Sequence, residues 1–181
     1  MRRSFRIVLI LACLLVGLYI IYGGRIPWLQ PFRHDIAKEV FGGKDHMRTV
    51  ASAPSISAHR LHIKGEEPQF FDSWKLANYN QTEDVTLSVA PAAKLREILL
   101  SRWSYGYGYV KACMPQYGVL FVFHGTDEEI KVALCFHCRQ IGIFHGEQPL
   151  NKIREFDPCE PQLRELAKQI FPQDVEIQNL K

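Results

Sequence analysis

A chain of 181 residues with 47% hydrophobic and 23% charged residues has room for one globular domain and a short appendage. Its net charge is +3, but Arg2, Arg3 and Arg6 supply all of it; the rest balances at 19 basic and 19 acidic residues. Without clustered Lys and Arg the domain lacks the electrostatic footprint of phosphate-backbone binding, which argues against nucleic acid as a partner.

Residues 1–24 form the appendage. Three arginines precede an uncharged apolar run at residues 7–22, closed by Gly23 and Gly24. As a helix those 16 residues rise about 24 Å, against a hydrocarbon core of about 30 Å. The two glycines and an interfacial Trp28 make up much of the difference, so the sequence predicts an N-terminal signal-anchor, a transmembrane helix. No small-residue cleavage site follows the run, as a cleaved secretory signal would need. Only six apolar residues of the run precede Cys13, the wrong shape for a lipoprotein signal. The arginines hold the N-terminus on the cytoplasmic side. The expected localisation is therefore the cell membrane, single-pass, with the N-terminus cytoplasmic and the domain extracytoplasmic; the membrane is the first expected partner.

Residues 25–56 read as a juxtamembrane segment and linker. Phe32, Ile36 and Val40 repeat at helical spacing and Gly42-Gly43 stops them, whereas residues 44–58 are polar and small. The folded domain is expected over residues 57–181. Residues 57–64 alternate as a strand does, and residues 84–88 (DVTLS) predict a second strand. Residues 91–102 predict a helix, with Pro91 in its first turn and Leu95, Ile98 and Leu99 on one face.

The strongest pattern lies in residues 117–145. Two runs rich in Val, Ile and Phe flank the turn Gly125-Thr126-Asp127-Glu128. Placing Phe123 opposite Ile130 puts Val119, Phe121 and Phe123 on one face with Ile130, Val132, Leu134 and Phe136. Leu120, Val122 and His124 then share the other face with Glu129, Lys131, Ala133 and Cys135. A third strand follows the Cys135-Phe136-His137-Cys138 turn, and residues 146–155 read as a loop or irregular edge. Asp157, Pro158 and Glu160 then make a helix start; Leu163, Leu166, Ala167 and Ile170 form its buried stripe, and Pro172 ends it. The expected fold is α+β: one mainly antiparallel sheet of about four to five strands with two helices packed on one face.

Outside the anchor stand Cys113, Cys135, Cys138 and Cys159. An even number in an oxidising compartment permits two disulfides. Cys113 is the expected partner for the Cys135/Cys138 turn, because it precedes the strand that should pair beside Cys135. The same turn offers two thiolates to zinc, with Cys113, Cys159, His124, His137 or His145 to complete the site. A second C-x2-C is absent, so no cofactor is expected and zinc stands as the alternative. A redox dithiol normally opens a helix, whereas this one follows a strand.

These residues also carry a resemblance. Lys111-x-Cys113, then Leu134-Cys135-Phe136-His137-Cys138, then Phe156-Asp157-Pro158 and a final helix ending Ile170-Phe171-Pro172 resemble a group of small bacterial membrane-anchored proteins. The resemblance spans residues 84–172. It implies a bacterial envelope setting and an α+β domain, and brings no activity with it.

The histidines at the strand ends (His124, His137 and His145) put a Cys–His pair within reach. No nucleophile elbow, phosphate loop, H-E-x-x-H or paired-carboxylate motif is present, so the sequence points away from an enzyme. It reads as a tethered structural or protein-interaction domain with an envelope protein or glycan as partner. One alternative is a ligand-binding platform built from Trp103, Tyr105, Tyr107 and Tyr109. The other is a metal or thiol site built on the cysteines and His137.

Overall fold

The computed structural model describes residues 36–65, 74–106, 111, 113–151 and 153–181. The anchor expected over residues 1–24 lies outside them, and no helix among the described residues is long and apolar enough to cross a membrane.

In chain order, helices α1 (Ile36–Val40) and α2 (Lys44–Ser52) lead into strand β1 (Ser55–Ile63). After a single turn of 3-10 helix at Leu76–Asn78 come β2 (Tyr79–Thr86) and helix α3 (Val89–Leu100). Strands β3 (Val119–His124), β4 (Glu129–Cys135) and β5 (Gln140–His145) follow, with the two-residue strands β6 (Gln148–Pro149) and β7 (Arg154–Glu155). A 3-10 turn at Asp157–Cys159 opens helix α4 (Glu160–Ile170), and α5 (Val175–Gln178) closes the chain.

The strands make one antiparallel sheet in the order β2-β1-β3-β4-β5-β6, with β7 also paired to β5. The β3–β4 hairpin takes the expected register: Phe123 pairs with Ile130, Phe121 with Val132 and Val119 with Leu134. All six are fully buried, and a slip by one residue would turn them to the other face. Both β2 and β3 run antiparallel to β1. They are therefore parallel to each other, and α3 makes the crossover that carries the chain past β1. Leu95 and Leu99 of α3, Leu163 and Ala167 of α4, and Ile36 and Val40 of α1 join the hairpin residues in one core. Burying that core is what holds the helices on a single face of the sheet.

Several expectations need correction. The sheet has seven strands rather than four to five; β6 and β7, in the segment expected as a loop or irregular edge, take the second form and both pair with β5. Residues 44–52 are helix rather than linker. Their composition is polar, but Val50 and the adjoining Ala53 fall on the inward side and are buried, which gives this amphipathic segment its reason to fold. The second strand starts at Tyr79, not at residue 84. Its polar residues Asn80 to Asp84 suit an exposed edge, where a register shift and a left-handed Glu83 (φ 55°) bend the strand. Asp157 does not cap α4. Its carboxylate instead accepts hydrogen bonds from Lys111 Nζ (2.6 Å) and Arg139 (3.2 Å), charge-assisted contacts that outweigh a backbone cap.

Two charged residues are buried among the described ones, Glu160 and, more deeply, Arg60. Arg60 of β1 is 1% exposed. Its guanidinium donates to Asp174 (2.5 Å), to Glu176 (2.7 Å) and to the Gly118 carbonyl. Asp174 also accepts the Ile177 N–H at 2.8 Å, capping α5. Arg60 thereby fastens the C-terminal helix to the first strand.

Candidate functional site on the outer face of the sheet

The face turned away from the helices is half apolar. Leu61, Tyr79, Leu120, Ala133 and Phe144 project from the strands, and Leu76 and Tyr117 from the flanking segments close over them in a second cluster. The two tyrosines are interlocked. Tyr79 donates its hydroxyl to the Pro115 carbonyl (3.3 Å) and accepts the Tyr117 N–H (3.2 Å), and the ring centres stand 5.7 Å apart. Phe144 meets the Tyr117 ring edge-to-face at 6.0 Å, a preferred aromatic geometry.

Tyr117 lies at the floor of a recess of about 480 Å³, whose other walls are Trp74, Gly142, Phe144, Pro149, Asn151 and Ile153. Its side chain is buried, yet its hydroxyl has no hydrogen-bond partner among the described residues. Burial first, then the neighbouring Tyr79 and Cys135, push its ionisation well above the ordinary tyrosine range. The hydroxyl therefore acts as a neutral donor and acceptor. Gly142 makes room for it: a β-carbon there would lie 2.8 Å from Phe144 Cε2 and inside contact distance of the Tyr117 hydroxyl.

A disulfide supports this floor. Cys113 and Cys138 are bonded across a sequence separation of 25, with Cα atoms 6.1 Å apart. The bond ties the segment that carries Tyr117 to the turn after β4, and Cys113 is the expected partner. Cys135 is free, buried beside this bond, and accepts the Cys138 N–H at 3.4 Å. Cys159 is free and buried on the helix side of the sheet, so the two remaining thiols lie on opposite faces. Burial above all raises both thiols, Cys159 to about 12, which leaves neither as a ready thiolate.

The other expected site residues do not converge. His137 is exposed at the turn, and His145 faces Glu128 at 3.5 Å. Among the described residues no three Cys, His, Asp or Glu side chains are grouped to hold a metal ion. In the aromatic stretch, Trp103 is exposed with the Arg102 guanidinium 4.4 Å from its ring centre. Tyr105 instead fills the helix-side core and donates its hydroxyl to the Leu99 carbonyl at 2.6 Å. Tyr107 and Tyr109 lie outside the described residues. The recess residues Trp74, Tyr117 and Phe144 escaped the sequence reading, because they come from separate segments at no fixed spacing. One signal was present: Gly142, a lone glycine inside the apolar strand QIGIFH, a pattern that marks a close approach.

No protein family, no curated protein and no solved structure matches this chain. The recess must be read from its own residues.

Proposed function

We propose that this is a membrane-tethered, extracytoplasmic binding domain that holds a small, mostly apolar, ring-containing ligand in the Tyr117 recess. The observation that carries the reading is an aromatic-walled cavity floored by Tyr117, whose hydroxyl is buried against Gly142 without a hydrogen-bond partner among the described residues. A buried hydroxyl left without a partner costs about 1–3 kcal/mol. A ligand oxygen or nitrogen that reaches it removes that cost upon binding, which makes the hydroxyl a specificity point in a mostly apolar pocket. The cavity, about 480 Å³, falls in the range of roughly 300–1,000 Å³ usual for small-molecule sites.

The tether rests on the arginine-flanked apolar run at residues 7–22. The Cys113–Cys138 bond suits the oxidising side of a membrane. An interaction domain with an envelope partner is compatible with the same tether, but the recess favours a small ligand.

The test is a fluorescence titration of 1-naphthol into the full chain in lipid nanodiscs, with Trp28 and Trp103 replaced by Phe so that Trp74 alone reports. Saturable quenching is the expected result. Quenching that rises linearly with added probe, as partition into the bilayer gives, contradicts the reading.

A further inference from the structure

The outer face holds a second feature, nearer the β1 side of the sheet. Ser57 and His59 lie two apart on β1, so both side chains leave the same face. His124 on β3 stands opposite Glu129 on β4, and Ser57 opposite Val122. This pairing brings Ser57 Oγ to 2.9 Å from His124 Nε2, and His124 Nδ1 to 2.7 Å from Glu129 Oε1. Ser57 Oγ is also 3.0 Å from His59 Nε2, whose nearest carboxylate is Asp84 at 4.0 Å.

The chemistry of these groups fixes where the hydrogens sit. An ionised Glu129 only accepts, so Nδ1 of a neutral His124 carries the hydrogen and Nε2 keeps its lone pair. That lone pair accepts the Ser57 O–H. The remaining capacity of Ser57 Oγ then accepts from the Nε2–H of His59. The chain of donors runs one way, from His59 through Ser57 and His124 to Glu129. His59 is kept in its neutral, donating form mainly by burial, which outweighs the Asp84 charge; His124 and Lys131 on the same face act with burial.

We propose that Ser57 is a nucleophile for the hydrolysis of small carboxylic esters, with His124 as its general base. The arrangement has the atom pairing that activates a hydroxyl: nucleophile on Nε2, carboxylate on Nδ1. Ser57 Oγ bonds to the ester carbonyl carbon as its proton passes to His124 Nε2. The developing oxyanion takes a hydrogen bond from His59 Nε2–H, which stands within reach of the attacking oxygen. The carbon–alkoxy bond breaks and the same proton leaves with the alcohol. Water, deprotonated by His124, then cleaves the acyl-serine to the carboxylic acid and restores the O–H. Glu129 is a positioning residue that fixes the His124 tautomer. Ser57 is 6% exposed and the His124 side chain 37%, so the approach is along the His124 edge and admits a short acyl group such as acetyl. This activity is independent of the recess.

The full chain in nanodiscs is mixed with 4-nitrophenyl acetate, quenched in acid and digested for mass spectrometry. The expected result is a burst of 4-nitrophenol of one equivalent per chain and an acetyl group on the peptide holding Ser57. Ser57→Ala abolishes both while the chain still folds, with melting lowered by no more than the loss of two hydrogen bonds explains. His124→Gln slows the burst on the order of 100-fold. Glu129→Gln slows it less, and Glu129→Asp recovers part of the loss, which a merely structural role would not do. Turnover that survives Ser57→Ala, as free imidazoles give, overturns the proposal. So does an absence of acetyl-Ser57 in the folded wild-type chain.

Discussion

The Tyr117 hydroxyl stands over Gly142 so closely that a methyl group on the glycine would enter its contact shell. The pair links a backbone position in the centre of β5 to the floor of the recess. Gly142→Ala forces the tyrosine or Phe144 to move, an overpacking change that costs about 1–3 kcal/mol. Denaturant unfolding should show that loss. Affinity for 1-naphthol should fall with it, because the displaced rings occupy the space the probe needs.

The disulfide offers a second test. Closing a loop of 25 residues restricts the unfolded chain by about 3 kcal/mol. Cys113→Ser should therefore lower the melting temperature by several degrees, and reduction of the wild-type chain should do the same. Thiol labelling of the denatured, unreduced full chain should mark Cys135 and Cys159 and leave Cys113 and Cys138 unmarked. Label on Cys113 and Cys138 would remove the bond.

Acid should weaken the fold in two stages. Folding lowers His59 below the ordinary value of 6.5, chiefly by burial. The unfolded chain thus binds a proton more readily, and the contribution of a neutral His59 is present above 6.5 and is lost as the pH falls below it. Asp174 behaves as carboxylates usually do. Burial raises it, but the Ile177 N–H and the Arg60 guanidinium together hold it below 3.8. Its contribution is present above that value and is lost only as the pH falls through its lowered one. Unfolding followed from pH 8 to 2 should show both losses, and His59→Gln should remove the upper one alone.

Arg60 carries the largest predicted effect. Arg60→Ala leaves Asp174, only 10% exposed in its side chain, with a buried charge and no cation. Breaking such a pair from one side costs about 3–5 kcal/mol. Hydrogen exchange should locate the damage in α5 and the strand edge at Gly118.

What could be read from the sequence followed from how strictly each element was patterned. The β3–β4 register was legible because a period of two sorts Phe121 and Phe123 from Leu120 and Val122 without ambiguity. Cys113 was legible as the partner of the turn because strand order places it there. Residues 44–52 were hidden by their polar composition, since Val50, the partly buried Met47 and the adjoining Ala53 are the few apolar residues that anchor them. Only the end of β2 was legible, at residues 84–86; its first half, Tyr79 to Glu83, was hidden because an edge strand needs no apolar alternation. Asp157 had the look of a cap, and only the fold brings Lys111 to compete for it. The recess and the Ser57 cluster are assembled across segments far apart in sequence, so no local spacing announces them.

In the proposed site the Tyr117 hydroxyl makes the polar contact to the ligand, and the direct measurement compares 1-naphthol with naphthalene. The two differ by a single hydroxyl. Wild-type chain should bind 1-naphthol about 10-fold more tightly, the worth of one hydrogen bond to a group otherwise left unpaired. Tyr117→Phe should bind both probes alike, with naphthalene affinity little changed. If Tyr117→Phe keeps the wild-type preference, or if neither probe saturates the wild-type chain, the recess is not the binding site described here.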